Sequence, residues 1–97
     1  MGNPKINRLD LNILMVLAKD NAIDELSGMT INEINSYYGE GKPLLSARPN
    51  LSKRIRGLCL IGYVEKGIKD VTSDTYFITE KGLERIEWNG GKKEWVM

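Results

Sequence analysis

Ninety-seven residues with 41% apolar and 7% aromatic content describe one small folded domain, not a disordered chain. No stretch approaches the ~20 apolar residues of a membrane span, and the apolar run Ile13 to Ala18 is too short for a signal peptide. A single Cys59 excludes an internal disulfide framework and suits a reducing cytoplasm, and the absence of histidine removes the commonest metal ligand and general base.

The first helix starts at Asn7, a good N-cap, with Asp10 at N3, where a carboxylate favours the positive helix end. Ile6 and Leu11 stand at the hydrophobic-staple positions. Leu9, Ile13, Leu14, Val16 and Leu17 give a broad apolar surface, which means a fully buried helix or one shared with a second subunit. Lys19 to Ser27 is a polar connection with a short apolar patch, Ile23 and Leu26.

Thr30-Ile31-Asn32-Glu33 matches a capping box and opens a short helix with Ile31, Ile34 and Tyr37 or Tyr38 inward. Gly39-Glu40-Gly41-Lys42-Pro43 breaks it. The third helix has two possible starts. Ser46 caps it with Pro49 in the first turn, or Asn50 caps it because Pro49 disfavours helical geometry at Arg48. The Ser46 start is favoured. Leu51, Ile55 and Leu58 share one face, and Ser46, Pro49, Asn50, Lys53, Arg56 and Gly57 occupy the opposite one. Arg54 lies on one flank and Ser52 on the other.

That helix stops at Gly62. A strand, Tyr63 to Lys69, a polar turn, Asp70 to Asp74, and a second strand, Thr75 to Ile78, follow. The last helix runs from Glu80 to Trp88 with Leu83 and Ile86 inward, and Asn89-Gly90-Gly91 ends it. Residues 1–91 form the domain and 92–97 a tail.

Net charge is only +1, but it is unevenly placed. Residues 42 to 69 hold seven cations against one acid, Glu65, a net +6, and the remainder nets −5. A basic half on an acidic domain is the electrostatic footprint of a polyanion binder.

Helix, glycine stop, hairpin, helix is the order of a recognition helix followed by a wing. Leu58 followed by Gly62-Tyr63-Val64-Glu65-Lys66, then the return through Thr79 and Gly82, resembles the winged helix-turn-helix family. The resemblance implies an α+β, mainly α fold: a three-helix core, a β-hairpin wing and a C-terminal helix. The connection between helices two and three is longer than a plain helix-turn-helix turn, so their angle departs from the simplest pattern.

Major-groove reading needs hydrogen-bonding side chains on one exposed stripe. Arg and Lys match guanine edges and Asn matches adenine edges. Asn50, Lys53 and Arg56 meet that need, with Ser46 beside them. Lys42, Arg48, Ser52 and Arg54 are placed to hold phosphates. The wing offers Lys66, Lys69, Thr72 and Ser73 to a minor groove or a phosphate backbone. Simpler roles stand beside these: Asn50 as a cap only, Arg54 paired with an acid such as Glu65, and Lys69 as guard of a hairpin edge. Six neutralised phosphates per subunit would give a salt slope of about −5.

Catalysis has little support. Without histidine there is no ordinary nucleophile and base pair, the carboxylates form no motif, and the glycines do not follow a strand as a phosphate loop would. Cys59 reads as a packing residue. No cofactor or metal is expected. The expected function is sequence-specific binding of double-stranded DNA by a small transcriptional regulator, acting as a homodimer. Helix one and the apolar residues Trp88, Trp95, Val96 and Met97 are the candidate dimer surfaces. Two other roles fit the same fold. One is a plasmid or phage accessory factor that marks a site for a partner of a replication or DNA-transfer complex. The other is a protein–protein adaptor, for which a +6 segment would be unneeded.

Overall fold

The computed structural model describes residues 4–88. Four helices and a small sheet follow in the order α1 (Arg8–Lys19), β1 (Met29–Thr30), α2 (Ile31–Asn35), α3 (Arg48–Leu60), β2 (Val64–Lys66), β3 (Thr75–Ile78) and α4 (Glu80–Arg85). The antiparallel sheet has the order β1-β3-β2, with Met29 opposite Tyr76 and Val64 opposite Ile78. This three-helix core with a hairpin wing and a closing helix is a winged helix fold, as the sequence leads one to expect.

Helix starts follow the local chemistry. Asn7 and Asp10 form a reciprocal capping box on α1, and Thr30 and Glu33 form another on α2. Helix ends are equally local. Gly62, at φ +83°, closes α3: its amide reaches the Cys59 carbonyl, and the Tyr63 amide reaches the Leu58 carbonyl. That pair of bonds is the Schellman pattern. Asn21 does the same after α1, and Glu87 after α4. Because the Trp88 amide turns back to the Leu83 carbonyl, the last helix ends at Arg85, not at Trp88. Residues 89–97, including Trp95, Val96 and Met97, lie outside the described residues.

The core joins every element. Ile13, Leu14, Val16 and Leu17 of α1 meet Ile34 of α2, Leu51, Ile55 and Leu58 of α3, and Val64, Tyr76 and Ile78 of the sheet. Ile13, Leu14, Val16 and Leu17 of α1 are therefore buried within the domain's own core. Thr79 and Gly82 fix the return from the wing. The Thr79 hydroxyl donates to the Gly62 carbonyl (2.6 Å) and accepts from the Gly82 amide (3.1 Å). A Cβ at Gly82 would fall 2.5 Å from the Tyr63 carbonyl oxygen, so only glycine lets α4 close on the sheet.

Three departures from the sequence reading have clear causes. The two-residue strand β1 is absent from the expected elements because it is too short to carry a periodicity signal. The first wing strand ends at Lys66, short of Lys69. Gly67 packs against the Glu25 carbonyl and the Ile68 amide donates to it (3.0 Å), which draws the chain off the ladder. Helix α3 begins at Arg48 with Ala47 as N-cap, so neither Ser46 nor Asn50 caps it. The reason is Asn35. Its buried side-chain amide donates to the Ser46 carbonyl (2.9 Å) and accepts from the Ser46 amide (3.1 Å), holding that residue extended outside the helix.

Candidate nucleic-acid interface

The sequence from Gly41 to Val64 contains no acid, and α3 is its centre. Burial of Leu51, Ile55 and Leu58 turns Pro49, Asn50, Lys53 and Arg56 to solvent, with Arg48 exposed at the helix start. Ser52 is half-buried. The Asn50 side-chain amide donates to the Ser46 hydroxyl (2.9 Å), and the side-chain oxygen of this exposed residue makes no hydrogen bond among the described residues. Arg48 is oriented by a 2.6 Å bond from Nη1 to the Asn32 side-chain oxygen, tying the start of α3 to α2. Lys42 is exposed in the connection, away from this stripe in sequence. The stripe ends on Leu60, 88% exposed and in helical line with Lys53 and Arg56. Its neighbours on the chain, Cys59 and Ile61, are apolar, so nothing local in the sequence marks it as exposed.

The angle of α3 is set by two anchors. Asn35 clamps Ser46 at one end of the long connection, and the Leu45 amide adds a 3.2 Å bond to the Asn35 carbonyl. Arg54 supplies the other. Its Nε donates to Asp10 Oδ1 (2.8 Å) and its Nη2 to Asp10 Oδ2 (2.6 Å). Asp10 is buried, and burial alone would push its carboxyl up. The Arg54 and Asn7 hydrogen bonds and the Arg54 charge outweigh this and hold it below the ordinary value of 3.8. Arg54 therefore pairs with an acid, though with Asp10 of α1 and not with Glu65.

The wing is less basic than the sequence count implied. Lys66 Nζ lies 3.4 Å and Lys69 Nζ 4.0 Å from opposite oxygens of Asp74. With Glu65 and Asp70 included, the hairpin from Val64 to Ile78 carries two cations and three acids. Thr72 and Ser73 are exposed at the turn. They line a polar cleft of about 240 Å3 with Thr30, Asn32 and Arg48, so the wing turn stands beside the start of α3. Cys59 is half-buried and its thiol is pushed up by that burial, as befits a packing residue. Among the described residues there is no cluster of His, Cys, Asp or Glu that could hold a metal ion. No helix there is long and apolar enough to cross a membrane.

No family model and no curated protein matches this chain. A solved structure does: the chain crystallised in the S. aureus MepR–DNA complex superposes with a TM-score of 0.66 at 19% identity, over 84% of this chain and 60% of that one. The chain thus spans somewhat under two thirds of its structural relative, and what the two share is the winged helix fold.

Proposed function

We propose that this chain binds double-stranded DNA and acts as a small transcriptional regulator, with α3 in the major groove. One observation carries the reading: an acid-free helix buries its apolar face and turns Asn50, Lys53 and Arg56 outward, with Arg48 at its start. Lys53 and Arg56 match guanine edges, and the side-chain oxygen of Asn50, unbonded within the fold, suits an adenine or cytosine amino group. Arg48, beside the exposed hydroxyls of Thr72 and Ser73, suits phosphates. The likeness in fold to a chain solved on DNA supports the same reading. A two-fold dimer would double the short site one domain reads.

The test is binding to a random duplex pool as salt is varied. Of the seven cations between residues 42 and 69, four (Lys42, Arg48, Lys53 and Arg56) have no acidic partner among the described residues. Log K should fall against log salt with a slope of about −3.5 per subunit. That is shallower than the −5 expected from the uncorrected charge count, because Arg54 and the wing lysines are already paired. A slope near zero would overturn the proposal.

A further inference from the structure

Two partly apolar grooves stand beyond opposite ends of α1, and the charge around them has opposite sign. The first, about 350 Å3, is lined by Ile6, Asn7, Arg8, Leu11 and Arg85. Leu11 leaves 41% of its surface exposed there. Residues 4–9 hold two cations, Lys5 and Arg8, and no acid. Arg85 Nε is buried without a hydrogen-bond partner among the described residues, so a donor is left unanswered at this end.

The second groove, about 260 Å3, is walled by Leu26 and Ile68, which are 80% and 54% exposed, and Glu33 and Asp70 also line it. The one cation in its lining, Lys69, faces Asp74. The stretch from Asp20 to Gly41 carries five acids (Asp20, Asp24, Glu25, Glu33 and Glu40) and no lysine or arginine. The loop that bears Leu26 is fixed from both sides. Asp24 Oδ1 accepts from the Leu26 amide (3.0 Å), the Ser27 amide (3.0 Å) and the Ser27 hydroxyl (2.9 Å). A Cβ at Gly28 would fall 2.6 Å from Thr75 Oγ1, so the loop is packed hard against β3.

Apolar side chains held in a polar-rimmed concavity mark a protein contact. Charge identifies the partner. In a two-fold contact each groove meets its own copy, which sets Arg8 against Arg8 or Glu33 against Glu33. Like charges so placed oppose association. When the unlike grooves meet, cations face acids around an apolar centre. The two grooves of one subunit cannot do this. The basic groove is built on the first turn of α1 and the acidic loop leaves from its last, and the helix between them is about 18 Å long. The match is made between copies.

We propose that this chain associates head to tail, the basic groove at Arg8, Leu11 and Arg85 of one copy receiving the Leu26 and Ile68 edge of the next. Such a heterologous contact leaves one groove open at each end, so it adds copies in series instead of stopping at a two-fold dimer. No residue of α3 lines either groove, so every copy keeps its α3 face open. The contact is distinct from the two-fold pairing that would double a DNA site, and it does not rest on DNA binding. Grooves of this size make a small interface, and the association is weak in free solution.

The experiment is sedimentation equilibrium without DNA, from about 10 μM to about 1 mM protein. It compares wild type, Arg8→Glu, Leu26→Asn and an equimolar mixture of the two variants. Both positions are exposed, and an acid in the first turn of α1 suits the helix N-terminus, so melting temperatures should hold. Wild type should gain mass with concentration and lose that gain at high salt. Each variant alone should associate roughly tenfold more weakly or not at all. The mixture should regain association, because each variant keeps the groove the other lacks. A wild type that gains no mass overturns the proposal, as does a mass gain that either variant retains in full. Variants that weaken association but do not recover on mixing reveal a self-paired contact and overturn it too. A lower melting temperature in Arg8→Glu with no association of wild type would place the chain's own residues 89–97 on the basic groove, and the proposal falls. None of these outcomes bears on DNA binding.

Discussion

Asp10 receives both arms of the Arg54 guanidinium, at 2.8 and 2.6 Å, and in the same position accepts the Asn7 amide that starts α1 (3.0 Å). One carboxylate thus caps the first helix and fixes the roll of the third. The side chain of Asp10 is 1% exposed and that of Arg54 33%, so the pair is sealed on the acidic side only. Removing one partner of such a pair is worse than never having built it, because the survivor keeps its burial without its counter-charge.

Arg54→Ala should therefore destabilise the fold by about 2–4 kcal/mol, and Arg54→Lys by less, since a lysine keeps the charge and loses the bidentate geometry. A double-mutant cycle with Asp10→Ala should give a coupling of about 1–3 kcal/mol. Chemical denaturation of the four proteins measures it. Additive effects would show that the two groups do not act as a unit.

The pH dependence has a definite sign. The folded carboxyl of Asp10 sits below its ordinary value of 3.8, so its contribution is complete above that pH and lost as pH falls through the lower folded value. In Arg54→Ala the largest influence on Asp10, burial, is no longer opposed by the guanidinium, and the carboxyl should move up. A raised carboxyl destabilises while ionised. Mild acid, about one unit above the ordinary value, should then restore part of the stability of Arg54→Ala and do nothing for wild type. Urea midpoints across that range decide it, and a deficit in Arg54→Ala that does not shrink with acid would refute the account.

Lys53→Ala should leave stability within about 0.5 kcal/mol, because the residue is exposed on α3 and makes no side-chain bond among the described residues. On selected DNA it should cost about 1–3 kcal/mol of discrimination. Equal losses on selected and random duplexes would mean that Lys53 holds a phosphate and reads no base.

Lys66→Ala combined with Lys69→Ala should change the salt slope by well under the two units that two lost phosphate contacts would give. Asp74 faces both ammonium groups, so their loss also releases an acid. Asp74→Asn should raise affinity at low salt. A fall of two units in the lysine double variant would return the wing to a charge-based role.

Gly82→Ala should destabilise by more than the ~1 kcal/mol of ordinary backbone effects, or displace α4, since its Cβ would meet the Tyr63 carbonyl at 2.5 Å and Ile78 at 2.7 Å. Glu87→Gly should stabilise by a few tenths of a kcal/mol or more, because it relieves a left-handed residue at a helix end. Thermal melts of the two variants should shift in opposite directions.

What the sequence by itself determined is local. Capping at Asn7 and Thr30, the glycine stop at Gly62, the inward face of Leu51, Ile55 and Leu58 and the wing turn all follow from residues within one helical turn or hairpin of each other. Short-range hydrogen bonds and side-chain periodicity express themselves in such windows. What only the tertiary structure decided is which charges remain available. Arg54 and Asp10 are 44 positions apart, and no periodicity brings them together. Asn35 reads as one more polar residue in a short helix until Ser46, 11 positions on, folds against it. Lys66 and Lys69 count as wing cations until the hairpin closes and sets Asp74 beside them. The left-handed backbone of Val71, at φ +59°, likewise appears only once Asp70 and Ser73 pair around it. A charge on the chain is a sum over residues. A charge offered to a ligand is what remains after the fold has paired its own groups, and long-range packing sets that remainder.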